Sequence, residues 1–436
     1  MATESTLPGS IQLVNISMNV KDFDTYQVDP ARGFLPSQDP LERLPSDFEA
    51  WDQLASQIPA LLLTGKLRPT LARLTSPDLN RLESDRHLQR AMLILSIFGN
   101  SYVWGGAKPA TVIPRGIALP LWTVAEKLGQ PPIATYASLA LYNWRLLDKN
   151  GPLELSNLGA LQLFFGGSDE QWFYLTSVAI EAKGAPALKA IVDARNAAAS
   201  GRVDDLADNL KRIASAFADM RETLLRVEEK CDPYIYYHRV RPFLAGWGEA
   251  GVIYEGISDT PQKFVGASAA QSSLLQSLDA GLGVTHRDDG THPFLLAMRH
   301  YMPPAHRRFI EALDDGPALR QFVLDRRQVA PALCDLYNAC IRALDNFRKK
   351  HMELAVRYIS RQAPGAEETE GTGGANFAPF LSKVRKETKE SEISARSSTD
   401  GDNVKSKVLR YLALGDSYTI DDSNDLRPIN HLLPSE

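Results

Sequence analysis

The chain has 436 residues, 44% hydrophobic and 23% charged, an ordinary globular balance long enough for a large core and an enclosed pocket. A formal net charge of −5 and a pI near 6.0 argue against nucleic acid or an anionic membrane as the main partner. The three cysteines, Cys231, Cys334 and Cys340, have no metal-ligand spacing and read as free thiols of a reducing compartment. With a polar start and no apolar run near the roughly 18 residues of a membrane span, the cytoplasm is the expected location, without stable membrane association.

Residues 1–48 are rich in proline, aspartate and serine and read as an extended lead-in, in which Phe34 and Leu35, between Gly33 and Pro36, are expected to pack on the body. Apolar residues then recur at helical spacing over Phe48–Leu63, Leu88–Trp104, Leu119–Leu128 and Tyr136–Leu147, the last two separated by Pro131-Pro132. Beyond Gly166-Gly167, the pair Ser168-Asp169 offers a cap for a helix over Glu170–Ala182. Further helical patterns cover Val203–Lys230, Ser272–Leu282, Pro293–Tyr301, Pro304–Leu313 and Pro331–Ile359. Strand signals are sparse, Val252-Ile253-Tyr254 being the best, so the fold class is mainly α and no internal repeat is seen. A glycine-rich acidic loop runs from 362 to about 376, a short apolar piece covers Phe377–Val384, and Lys386–Lys407 reads as disordered.

On the Pro331–Ile359 pattern, Leu336, Cys340, Leu344, Phe347, His351, Leu354, Ala355 and Tyr358 form one stripe at spacings of three and four. His351 lies within that apolar stripe. By spacing alone a core histidine is the commoner reading, but a lone histidine on a long helix is also what an axial haem ligand requires. Arg348 lies one turn earlier on the same face, where a propionate or plain solvent could meet it. Tyr237 and Arg241 are four apart, and an arginine among aromatics can grip a carboxylate or stack in an interface. Gly371-Thr372-Gly373-Gly374 is a linker or a small nest of backbone N–H groups, and not a dinucleotide fingerprint. His286, Asp288, Asp289 and His292 read as a solvated loop rather than a metal site. Leu412–Tyr418 looks like the nucleophile block of GDS-type esterases, without room downstream for the remaining blocks.

From about Gly33 to about Thr388 these segments resemble the indoleamine 2,3-dioxygenase family. The resemblance is carried by Gly33-Phe34-Leu35-Pro36, Pro131-Pro132-Ile133, Asn143-Trp144, Arg241–Trp247, Val252–Gly256, Ser268–Ser273, Met298–Arg307, Phe347–His351 and the glycines at 371–374. It implies a small helical N-terminal domain over 1–164, packed on a larger all-helical haem-binding domain over 165–390, with a disordered tail over 391–436. It further implies haem b held by His351, with Arg348 facing a propionate and Asp279 linked to that arginine. Arg241 corresponds to the residue that binds the substrate carboxylate. Tyr136, Phe173 and Ser177 match distal-pocket positions, Tyr236 and Tyr237 an aromatic pair beside the substrate, and Ser268 and Ala269 the backbone over the haem. Gly373 and Gly374 belong to the substrate-side loop. Two departures stand out: the aromatic pair is Tyr-Tyr rather than Phe-Phe or Phe-Tyr, and Ala375 follows the glycines where the family usually has threonine. The implied partners are L-tryptophan and O₂, the implied product is N-formylkynurenine, and a monomer is expected. The alternatives are a member acting on another indole and a haem protein that only binds O₂.

Overall fold

The structure is a computed structural model that describes residues 20–316, 318–363, 371–394, 418–420 and 426–428. The helices are α1 (Glu49–Leu63), α2 (Leu67–Leu71), α3 (Asp85–Trp104), α4 (Arg115–Leu128), α5 (Ser168–Ala199), α6 (Val203–Leu225), α7 (Pro233–Ile235) and α8 (Arg241–Leu244). They continue with α9 (Ser273–Leu282), α10 (Thr291–Arg299), α11 (Pro304–Asp314), α12 (Leu319–Asp325), α13 (Pro331–Ala355) and α14 (Phe377–Glu390). The strands are β1 (Val112–Ile113), β2 (Arg145–Leu146), β3 (Leu158–Gly159), β4 (Val252–Tyr254) and β5 (Ser258–Gln262), followed by β6 (Tyr418–Ile420) and β7 (Leu426–Pro428). β1 pairs in parallel with β4, Ile113 opposite Tyr254, and β4 pairs antiparallel with β5; β2 and β3 form an antiparallel pair. The fold is mainly α, as expected. Compactness divides the chain into Met1–Glu392 and Ile393–Glu436, the second holding the antiparallel pair β6–β7. The esterase-like residues before Tyr418 lie outside the described residues.

The core of the first unit is helix on helix. α6 buries Leu206, Leu210, Ile213, Phe217, Met220 and Leu224, a stripe at spacings of three and four, and packs against both α5 and α13. α5 is 32 residues long, far beyond the expected Ala182. Buried residues occur all round it, from Trp172 to Ala198, so its sequence carries little amphipathic contrast. Nor does a side-chain oxygen of Ser168 or Asp169 cap it: the residue before it is Gly167. Instead Glu170 accepts the N–H groups of Phe164, Phe165 and Gly166 at 2.7–2.8 Å, a carboxylate at the positive end of the helix. Helices α5 and α9 approach closely because each presents a glycine where the other presents a side chain. A Cβ on Gly184 would fall on Leu274, and one on Gly281 would fall on Ile191.

The lead-in packs as expected, with Phe34 and Leu35 fully buried and Phe34 against His306 and Phe309. The expected helix over Tyr136–Leu147 is cut short. A wide π turn spans Ala137–Leu141, closed by the Tyr142 N–H on the Ala137 carbonyl. Asn143 then exchanges hydrogen bonds with the Gln162 backbone at 2.8–2.9 Å and turns the chain into β2. Lys386–Glu390, expected to be disordered, is the end of α14, whose Val384, Glu387 and Thr388 are buried. No helix among the described residues is long and apolar enough to cross a membrane. All three cysteines are free and buried.

Candidate functional site

A cavity of about 280 Å³ opens between α5, α9, α13, α14 and the segments 136–140, 236–244 and 267–272. Its walls are mostly apolar, including Leu139, Leu224, Leu275 and Phe347. Eleven sequence-predicted residues line it: Tyr136, Phe173, Ser177, Tyr236 and Arg241; Ser268, Ala269 and Gly373; and Asp279, Arg348 and His351. Tyr237 and Gly374 do not line it.

The difference between Tyr236 and Tyr237 comes from the backbone. Between α7 and α8 the helix widens into a π turn, Tyr236–Val240, in which the Arg241 N–H bonds the Tyr236 carbonyl five residues back. An α-helical spacing of four would pair Tyr237 with Arg241 on one face; the wide turn brings Tyr236 and Arg241 to the cavity instead. Tyr237 keeps a supporting contact, its ring 5.3 Å from the Arg241 guanidinium carbon. Tyr236 packs on Phe173, ring centroids 4.6 Å apart, and edge-on to Tyr358. A third π turn, Val356–Ser360, sets Tyr358 and Ile359 on the cavity wall. All three π turns of the described residues therefore contribute to this site. Asn100, fully buried on α3, ties two walls together: it donates to the Phe243 carbonyl at 2.9 Å and accepts the Ala134 N–H at 3.2 Å.

The glycine segment is part of the wall rather than a free linker. Gly266 N–H bonds the Thr372 carbonyl at 2.9 Å, and the Thr372 hydroxyl donates to the Ala267 carbonyl at 2.6 Å. Gly371, Thr372, Gly373 and Ala375 line the cavity. Gly374, with φ +79°, makes the tight turn that closes on Gly371 and so positions Gly373 against Ser268.

His351 projects from α13 into the cavity. Burial, with the Arg348 charge one turn away, lowers its pKa to about 4, so the ring is neutral and has a lone pair that a metal ion can use. Arg348 is buried and bonded to Asp279 and to the Thr388 hydroxyl of α14. Burial opposes the charge on Asp279, but the Arg348 guanidinium and His286 hold its carboxyl below the usual range. His286 bridges Asp279 at 3.3 Å and Glu387 at 2.8 Å, and despite burial the Asp279 hydrogen bond and charge raise its pKa. His286 thus supports Arg348 through Asp279 and, among the described residues, no group of three or more histidine, cysteine, aspartate or glutamate side chains is placed to hold a metal ion. A buried cation beside a neutral imidazole, facing an apolar cavity, suits a flat, apolar, anionic metal complex.

Three residues at or just behind the cavity wall had no role assigned in the sequence reading, and of these Ser272 lines the cavity itself. Gln271 accepts the Tyr136 N–H at 2.9 Å and donates to the Gly266 carbonyl at 2.8 Å. Ser272 and Glu181 form a hydrogen-bonded cluster with the Tyr136 hydroxyl. Glu181 was legible in principle, because Phe173, Ser177 and Glu181 follow at intervals of four on one helical face.

Comparison with known proteins agrees with this geometry. The profile of the family Indoleamine 2,3-dioxygenase matches residues 22–391. The chain is 36% identical to Indoleamine 2,3-dioxygenase 1 of Rattus norvegicus, over 85% of this chain and 96% of the rat protein. It is 34% identical to Indoleamine 2,3-dioxygenase 2 of Homo sapiens, covering 86% and 96% of the two chains. It is also 34% identical to Indoleamine 2,3-dioxygenase of Saccharomyces cerevisiae, covering 84% and 92%. With a cavity built from the same segments that carry the match, this chain belongs to the indoleamine 2,3-dioxygenase family and is a dioxygenase, an oxidoreductase.

Proposed function

We propose that the protein is a haem-dependent dioxygenase that opens the indole C2–C3 bond of L-tryptophan with O₂ to give N-formylkynurenine. The observation that carries this reading is that a neutral His351 and a cationic Arg241 line one mostly apolar cavity. Haem b bound there supplies the iron that activates O₂ for insertion of both oxygen atoms into the indole. His351 holds the iron, and Arg348, itself fixed by Asp279 and Thr388, answers the negative charge of a propionate.

Arg241 binds the substrate carboxylate by a charge-assisted, two-pronged hydrogen bond. Its orientation comes from the π turn and the Tyr237 ring, so the carboxylate is anchored by a side chain already held in place. Phe173 and Tyr236 pack on each other beside it and give the indole an aromatic surface, with the Ser177 hydroxyl on the same wall. Ser268, Ala269 and Gly373 line the same cavity, with Gly373 packed closely against the Ser268 side chain. Fixing the carboxylate end places the indole, and such positioning is worth up to roughly 7–11 kcal/mol of barrier in ideal cases.

The direct test of the cofactor reading is His351→Ala. The variant is expected to purify nearly free of haem while keeping its helical circular dichroism, because the iron loses its protein ligand. Full haem content with an unchanged Soret band in that variant contradicts the assignment.

A further inference from the structure

Glu181 is a buried carboxyl that the reaction as read above does not use. It lies on α5 one turn beyond Ser177 and is only 1% exposed. Its Oε1 accepts two hydroxyl protons, from Tyr136 at 2.9 Å and from Ser272 at 2.7 Å. Its Oε2 is buried with no hydrogen-bond partner. Tyr136 and Ser272 line the cavity; Glu181 stands behind them.

Each hydroxyl has a single proton. While Glu181 is a carboxylate, both protons are committed to Oε1, and the two hydroxyl oxygens can offer only lone pairs to the cavity. We infer that Glu181 is a positioning residue for substrate, which makes this stretch of wall hydrogen-bond accepting, suited to an N–H of the ligand, until a proton on Glu181 reverses that sense. The inference rests on the reading of the cavity as the site of an indole amino acid, whose ring N–H and ammonium group are its donors. Oε2 has no acceptor beside it, so the acid proton of neutral Glu181 is best held on Oε1 and donated to one of the two hydroxyl oxygens. That hydroxyl must then turn its own proton away from Oε1 toward the cavity, where it opposes an approaching N–H.

The electrostatic setting places this change in the neutral range. Burial raises the Glu181 pKa to about 7, against the lowering effect of the Ser272 and Tyr136 hydrogen bonds. Tyr136, the titratable group facing it, is kept protonated by burial and by the Glu181 charge. On α9, Asp279 is taken by Arg348 and His286; on α5, Lys183 and Lys189 pair with Glu154 and Asp193. Among the described residues Glu181 forms no ion pair. The cluster exists because Gly184 and Gly281 let α5 and α9 come together, which brings Ser272 at the start of α9 to Glu181.

The test is the dissociation constant of L-tryptophan from the haem-loaded full chain, read without O₂ from the haem absorption band, between about pH 5.5 and about pH 8.5. In the wild type the constant is expected to rise about threefold to tenfold as pH falls through 7, the worth of one hydrogen bond. Glu181→Gln keeps an accepting oxygen but does not titrate, and should flatten the profile; this also separates Glu181 from His286, which titrates elsewhere in the protein. Identical profiles for wild type and Glu181→Gln overturn the inference. Should Glu181→Gln not fold, Tyr136→Phe and Ser272→Ala each take one hydroxyl from Oε1, and unchanged profiles in both overturn it equally. Tight binding without pH dependence in the wild type refutes the inference alone, whereas no spectral response to tryptophan at any pH refutes the substrate reading with it.

Discussion

Arg241 is the residue on which substrate choice depends in this account. Arg241 stands on the cavity wall with Tyr236, its guanidinium above the Tyr237 ring, whereas Arg348, the other arginine of the wall, is bonded to Asp279. Arg241→Leu should leave haem content and folding nearly unchanged. It should raise the Michaelis constant for L-tryptophan roughly tenfold to a hundredfold, because a charged hydrogen bond is worth about 1.5–3 kcal/mol. Indole analogues without a carboxylate should respond far less, and equal losses for both would make Arg241 a structural residue. Charge or imidazole within an apolar pattern makes Arg241 and His351 conspicuous in the sequence, but spacing leaves their roles open and only the family resemblance proposes them. Glu181 is less visible, because a glutamate on a long helix ordinarily faces water, and only the approach of α9 buries this one. Tyr236 lines the cavity with its ring packed on Phe173.

Elements decide which of these residues reach the cavity. Helices with one apolar face, such as α6 and α13, are legible from their spacing, and so is their meeting, since each buries a stripe. Two things are not. A π turn adds one residue to a helical turn without any mark in composition, so the face assignment around Tyr236 shifts by one position. A helix buried on all sides, such as α5, has no polar face to give it a period, and its second half goes unseen. The α5–α9 crossing offers a stability test. Gly184→Ala would set a methyl group onto Leu274, and overpacking of this kind costs about 1–3 kcal/mol. Urea denaturation should report that loss, accompanied by weaker tryptophan binding as Ser272 is pushed from Glu181. A variant as stable as the wild type would mean that the helices are free to separate.

For the whole molecule, the family match and the first compact unit end together, at residues 391 and 392. Removing the residues after 395, which the family match does not cover, should therefore leave turnover of tryptophan unchanged within about twofold. A collapse of turnover, or an esterase activity abolished by Ser417→Ala, would assign that segment a function. Within the first unit, helices α5, α9, α13 and α14 each supply part of one cavity wall, and short segments between helices supply the rest. That arrangement suits the proposed reaction, in which the cofactor carries the chemistry and the protein supplies a ligand, an anchor and an apolar space. The central claim is that both atoms of one O₂ enter the indole ring. It is tested most directly by giving the haem-loaded protein L-tryptophan under ¹⁸O₂ and weighing the product. N-formylkynurenine carrying two ¹⁸O atoms is the predicted result; a product with one label, or none with haem fully bound, would contradict it.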